Sequence, residues 1–310
     1  MSPKVTCGEP FDLAQGKRCR TILITGTSSG FGLLTSARLG SAGHIVYATM
    51  RDLNKRQSLS DEIAKRAGHV HIRALDVTKP QTIQPVIAEI LQKHGHIDVL
   101  INNAGQGLGG FFEDLSQEEI RQQMEVNFFG VQNVTREVLP SMRERRQGMI
   151  INISSVAGQS ATPSLGAYSA SKWALEAFSE CLYHEIRPFG VKVVIVEPGS
   201  YPTKIFSDNA RYAKNFDDPQ SPYYPLSQSI KNSINRHINQ SIRNPEQIAR
   251  LIERIIAVPN PKLRYVSDLS SWFEIMVRKN LSPPVYNYLY RRMIYGNTKW
   301  FDNAHHKYPV

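Results

Sequence analysis

Tyr168 and Lys172 stand four residues apart in the run Ala167-Tyr-Ser-Ala-Ser-Lys172, a spacing that sets a phenol and an ammonium side by side on one helix face. A neighbouring cation favours the phenolate, so an ordinary Tyr pKa of about 10 is expected to move toward neutrality, making Tyr168 a candidate proton donor and acceptor. Spacing alone does not single this pair out. Tyr295 and Lys299 repeat it, and Ser282 lies as far before Tyr295 as Ser155 lies before Tyr168. The elements around each pair must decide which one is placed for chemistry.

The chain has 310 residues, 41% of them apolar, enough for a substantial core. Cys7, Cys19 and Cys181 are too scattered for a disulfide framework or a metal-ligand cluster, which points to a reducing, cytoplasmic setting and no metal. The first 17 residues mix charges with no apolar run and read as a loose leader. No stretch approaches the roughly 18 consecutive apolar residues of a spanning helix. The net charge of +10 suits nucleic acid, an anionic surface or an anionic small molecule, but no zinc-finger, helix-turn-helix or RNA-binding pattern accompanies it. Nucleic acid is therefore not expected as a partner.

Strand and helix patterns alternate along the chain. Thr21–Thr25 is a β-branched apolar run, followed at once by Gly26-Thr-Ser-Ser-Gly30-Phe-Gly32 and a helical pattern, the opening of a dinucleotide-binding unit. Gly26, Ser28, Ser29, Gly30, Phe31 and Gly32 would bring backbone and a helix N-terminus up to a pyrophosphate. Further strands are expected at 45–49, 70–75, 99–101, 149–153, 191–196 and 263–266. Helices are expected at 54–66 and 80–94, and from a capping box at Ser116 and Glu119 to about Arg143, with another after Asn244-Pro-Glu-Gln247. This is an α/β, doubly wound parallel sheet of about seven strands, a Rossmann fold, in one catalytic domain spanning 18–267. A C-terminal helical extension covers 268–310.

With those residues in place, 18–267 resembles the classical short-chain dehydrogenase/reductases. The likeness rests on the glycine turn, on Asn102-Asn-Ala-Gly105 after the fourth strand, and on Asn127 in the long helix. Ser155, Tyr168, Lys172 and Pro198-Gly199 complete it, with Thr203 where the family has a Thr near the nicotinamide carboxamide. Ser282 and Tyr295 lack that setting, because no strand precedes Ser282 and Pro283-Pro284 follows it. The resemblance implies that Tyr168 transfers a proton to or from a carbonyl oxygen that Ser155 holds. Lys172 would lower the Tyr168 pKa and grip the nicotinamide ribose, and Asn127 would steady a proton-relay water. It also implies cofactor contacts at Asp76, Val77, Asn103, Ala104, Gly105, Pro198, Gly199, Tyr201 and Thr203. Tyr47-Ala-Thr-Met-Arg-Asp-Leu53 and Pro261-Lys-Leu-Arg-Tyr265 resemble most the 17β-hydroxysteroid and retinol dehydrogenase branch, implying a hydrophobic ketone, aldehyde or alcohol as substrate.

The end of the second strand sets cofactor preference, because a carboxylate there would bind the adenosine ribose hydroxyls. Met50 and Arg51 stand there instead, so nothing repels a 2'-phosphate and a guanidinium is available to pair with it. NADP(H) is expected over NADH, with reduction as the favoured direction. Asp52 could pair with Arg51 or point away.

Substrate contacts are expected from Gln106, Leu108, Val156, Leu165 and Phe206, the last in a long polar loop at 204–243 that would act as a lid. The extension reads as two short amphipathic helices broken at Ser282-Pro-Pro284, free to pack on the body, join subunits or lie on an anionic membrane. Family resemblance implies a homodimer or homotetramer. The competing reading, a catalytically silent cofactor sensor or scaffold, predicts loss of Ser155, Tyr168 or Lys172, and all three are present.

Overall fold

Thr21–Thr25 is buried at every position as strand β1, as a strand covered on both faces by helices must be. The computed structural model describes residues 19–203, 205, 211–240 and 243–295. In it β1 is joined by β2 (Ile45–Met50), β3 (Val70–Ala74) and β4 (Val99–Asn102). A two-residue strand, β5 (Leu108–Gly109), stands apart, and β6 (Gly148–Ile153) and β7 (Val191–Glu197) return to the main sheet. β8 (Arg211–Tyr212) pairs with β5, and β9 (Arg264–Val266) closes the main sheet. The seven main strands run parallel in the order β3-β2-β1-β4-β6-β7-β9.

Helices cover both faces and make two large cores, with a smaller cluster of Leu33, Ala48, Met50 and Leu59 beside them. On one face, Ile83, Ile87 and Ile90 of α3 (Pro80–His94), Val134 and Val138 of α5 (Gly130–Glu144), and Leu182 of α6 (Gly166–Ile186) pack on Leu23, Leu100 and Ile150. On the other, Leu39 of α1 (Gly30–Ser41) and Ile248, Ile252 and Ile255 of α8 (Glu246–Ala257) pack on Ile22, Ile24 and Ile101. The remaining helices are α2 (Gln57–Lys65), α4 (Gln117–Met124), α7 (Tyr224–Gln240), α9 (Leu269–Asn280) and α10 (Pro283–Tyr295). Glu246 ties this second layer together, accepting from Arg38 at 2.9 Å and from Arg66 at 2.9 Å.

Two expectations need correction. The helix capped by Ser116 and Glu119 does not run unbroken, because a π turn at Glu125–Phe129 separates α4 from α5. The 204–243 stretch is not a plain loop either. It contains β8 and the seventeen-residue α7, whose polar pattern hid an amphipathic period, and residues 204, 206–210 and 241–242 lie outside the described set. The leader, Phe206 and Lys299 also lie outside it.

The extension forms the two expected helices, broken at Leu281 and Ser282, and its inner side packs on the body. Tyr286 Oη lies 3.0 Å from Ser160 Oγ, Tyr290 Oη donates to Thr162 Oγ1 at 3.1 Å, and Arg278 sits 4.9 Å over the Tyr286 ring. Among the described residues, no helix is long and apolar enough to cross a membrane.

Candidate active site

The strand order reverses between β1 and β4, and in an open parallel sheet the crevice beyond the strand ends at such a reversal is where ligands bind. The two loops that leave these strands are locked together. Thr25 Oγ1 accepts from the backbone N–H groups of Asn103 and Ala104 at 3.1 and 3.0 Å, and Asn103 Nδ2 donates to the carbonyls of Thr25 and Gly26 at 2.9 and 2.8 Å. Gly26, at φ +71°, passes so close to Ala104 that a Cβ would sit 2.5 Å from its Cα. Gly30, at φ +58°, begins α1 and lines the crevice, where a Cβ would meet only the Thr203 side chain, at 3.7 Å, so the helix N-terminus faces the space an anion would take.

A cavity of about 620 Å³ fills this crevice. One end is walled by Met50, Arg51, Asp52, Lys55 and Asp76, the middle by the glycine turn and Asn103-Ala-Gly105, and the other end by Ser155, Tyr168, Lys172 and Thr203. Its elongated set of walls, the phosphate cradle at Gly30 and the unpartnered buried hydroxyl of Ser154 all fit a dinucleotide. Val77, Phe31, Ser28, Ser29, Pro198, Gly199 and Tyr201 line it as expected. Gly32 does not. It lies under the turn, where a Cβ would collide with Asn103 Nδ2, so its smallness serves packing.

At the inner end, α6 carries Tyr168 and Lys172 on the face turned toward β6, both buried. Ser155 caps the short turn after β6, accepting from the Ala157 N–H at 3.1 Å, and hydrogen-bonds the Tyr168 hydroxyl. Burial pushes the Tyr168 pKa up from its ordinary value, against the smaller opposing effect of the Ser155 bond. This reverses the expected fall. The phenol is almost fully desolvated, and the Lys172 ammonium, 5.9 Å from the ring centre, is turned to the Ile153 carbonyl at 2.8 Å. Burial in turn lowers Lys172 to about 8, with Glu176 one turn along α6 opposing that shift. The site thus holds a neutral phenol ready to donate and an ammonium close enough to favour the anion that donation would leave.

Asn127 stands one layer back from the cavity. Fully buried in the π turn, it accepts from the Gln106 N–H at 2.9 Å and donates to the Gln106 carbonyl and to Ser171 Oγ, each at 3.0 Å. The wide turn presents this amide sideways to the chain leaving β4, and so fixes Gly105 and Gln106 against α6. π turns often mark such positions.

Among the expected substrate contacts, Gln106 lines the cavity, whereas Leu108, Val156 and Leu165 stand outside its walls. Leu108 pairs with β8, Val156 is buried behind Ser155, and Leu165 bridges to Gly110, so all three build the rim. Sequence reasoning missed Lys55 and Arg211, which do line the cavity. Lys55 follows Arg51 by one turn, a spacing that could have flagged it, but Arg211 is brought in by the β5–β8 pairing, which leaves no local signal. Asp52 is also resolved. Its carboxylate accepts from the Asn54 N–H at 3.0 Å, and no ion pair joins it to Arg51.

Residues 20–213 match the family model for the short chain dehydrogenase. A 3-ketodihydrosphingosine reductase from Bacteroides thetaiotaomicron is 40% identical over 246 residues, covering 78% of this chain and 86% of that protein. Human retinol dehydrogenase 8 is 34% identical over 264 residues, covering 81% and 82%. The solved structure of a short-chain dehydrogenase from Streptomyces avermitilis superposes with a TM-score of 0.74 at 32% identity, covering 89% of this chain and 97% of that one. Other solved neighbours hold NAD, in a Burkholderia phymatum protein at 25% identity, and NADP, in a metagenomic one at 27%. The chain belongs to the short-chain dehydrogenase/reductase family and is an oxidoreductase that works with a nicotinamide cofactor.

Proposed function

We propose that this protein is an NADP(H)-dependent reductase of a hydrophobic ketone or aldehyde, with Tyr168 as the proton donor. The observation that carries this reading is the two-ended cavity. Arg51 and Lys55, neither side chain with a hydrogen-bond or ion-pair partner among the described residues, flank one end, and the neutral Tyr168 hydroxyl with Ser155 occupies the other. With Asp52 committed to its turn, the cationic pair suits a 2'-phosphate.

When bound, the nicotinamide would supply the hydride that turns a carbonyl into an alcohol. Tyr168 hands the carbonyl oxygen its proton, and Ser155 holds that oxygen by hydrogen bonding so that charge building on it is stabilised. The buried Lys172 ammonium offsets the phenolate that remains. Asn127 keeps Gly105 and Gln106 in place beside them. Relatives named for a keto compound and for retinol, together with the largely apolar α9–α10 surface beside the cavity rim, support a lipophilic substrate. Neither Cys19 nor Cys181 is in a disulfide, which suits a reducing cytoplasm. The exposed Phe129 and Trp173, next to the long helices α5 and α6, suit a homodimer or homotetramer.

Steady-state rates on a panel of hydrophobic ketones, aldehydes and alcohols, read from the absorbance of the reduced nicotinamide, test this reading. kcat/KM with NADPH should exceed that with NADH by at least about tenfold, and Arg51→Glu should abolish or invert the preference. Equal or better use of NADH by the unaltered protein would contradict the cofactor assignment.

A further inference from the structure

The outer faces of α9 and α10 carry the same pattern. Leu269, Trp272 and Phe273 on α9, and Val285, Tyr288 and Leu289 on α10, follow the i, i+3, i+4 spacing of one helix stripe, and all six are exposed. Leu269 is 79% accessible, Phe273 63% and Tyr288 62%. The opposite stripes, with Ser271, Ile275 and Tyr286, are already buried against the body. The helices are therefore anchored by one face and present a second apolar face outward, where a globular helix normally turns charge to water.

The stripes end in cations. Lys279 follows Trp272 by two turns and Arg292 follows Val285 by two turns, and both are exposed. Glu274 is the only acidic residue from 269 to 295, against Arg278, Lys279, Arg291 and Arg292. Two copies of the chain meeting through this face would set like charges opposite one another, with Glu274 and, near Lys279, Glu180 of α6 to oppose four cations. An anionic lipid surface meets the cations with phosphates and takes the rings at headgroup depth, where Trp and Tyr are favoured.

We infer that α9 and α10 together form an interfacial docking face that seats the protein on an anionic membrane. The helix that carries half of the face lies beside the active site, because Tyr286 and Tyr290 on its inner side hold α10 to the 156–165 segment between Ser155 and Tyr168. Docking would thus hold α10 at the lipid with the 156–165 segment on its body side. It stands on the exposed stripes and their charge, independently of which nicotinamide or carbonyl the site uses.

Flotation of the full chain with vesicles tests it, using pure phosphatidylcholine and phosphatidylcholine mixed with phosphatidylserine. The protein should rise with the mixed vesicles and bind them at least about tenfold more tightly than the neutral ones. Trp272→Ser combined with Phe273→Ser and Leu289→Ser should lose that binding, as should Lys279→Glu with Arg292→Glu. These positions are exposed, so circular dichroism melting should confirm that the variants fold. Failure of the unaltered protein to float would overturn the proposal, as would flotation unchanged in both variants. A variant that instead splits a lipid-free oligomer while the parent ignores vesicles would make the face a contact between copies, and would equally overturn it.

Discussion

Tyr168 shows how much a residue's surroundings decide. The i, i+4 cation expected beside it is present, yet its ammonium is turned to the Ile153 carbonyl, and burial raises the phenol's pKa against the smaller effect of the Ser155 bond, so the phenol stays protonated. That suits an acid more than a base, because a reduction begins with the proton on the donor. Tyr168→Phe removes one hydroxyl from a well-packed site, so the fold and NADPH binding should be retained while carbonyl reduction falls by about 10²–10⁴-fold. Single-turnover reduction beside NADPH fluorescence titration separates the two effects, and turnover within a few-fold of the parent would remove Tyr168 from its role. Tyr295, the same residue type at the same spacing, closes α10 far along the extension, with Ser282 exposed and Lys299 beyond the described residues.

At the scale of elements, the edge of the sheet beside the site is held by a buried charge cluster. Glu197, the last residue of β7, and Glu176, one turn beyond Lys172 on α6, share Gln159, and Arg264 on β9 approaches them at 3.8 and 3.1 Å. Burial pushes Glu197 up to about 7, with Glu176 acting in the same direction and Arg264 against it. Below the ordinary carboxylate range the folded and unfolded chains both hold this proton, so Glu197 costs the fold nothing there. As pH rises through about 7 the folded chain must bury the charge, and this residue's contribution to stability is lost. Glu197→Gln should therefore melt about 5 °C above the parent at pH 8 and no differently near pH 4. Thermal denaturation across that range reads the result, and a parallel offset at every pH would show that Glu197 is ionised throughout. The π turn is the other decisive element, because an unbroken helix from Ser116 to Arg143 would carry Asn127 away from Gln106. No periodicity in the sequence announces it, since a single widened turn shifts the apolar pattern by one residue only.

For the whole molecule, the surface left over by the two cores is uneven. Trp173 on α6 and Phe129 beside α5 are 46% and 43% accessible on the helices that flank the active-site layer, a surface suited to a second copy. Trp173→Glu should leave the monomer fold intact and shift the protein to a smaller species in size-exclusion chromatography with light scattering. A parent that is already monomeric at working concentration would show that these helices do not join subunits.

What the sequence determined by itself was whatever depends on local order: β1 with its glycine turn, the alternation of strands and helices, the capping box at Ser116, the break at Ser282, and the set Ser155, Tyr168 and Lys172. Each is written in a few adjacent residues or one period, so a short stretch suffices to specify it. Tertiary structure decided what depends on residues far apart in the chain. It raised the Tyr168 pKa rather than lowering it, because burial of the phenol depends on segments far from it in the chain. It brought Arg211 into the cavity through β5, left Leu108 and Leu165 on the rim, and turned α7 from an expected loop into a helix. It also chose which stripe of α9 and α10 the body would cover, since two apolar stripes look alike until a surface is available for only one of them.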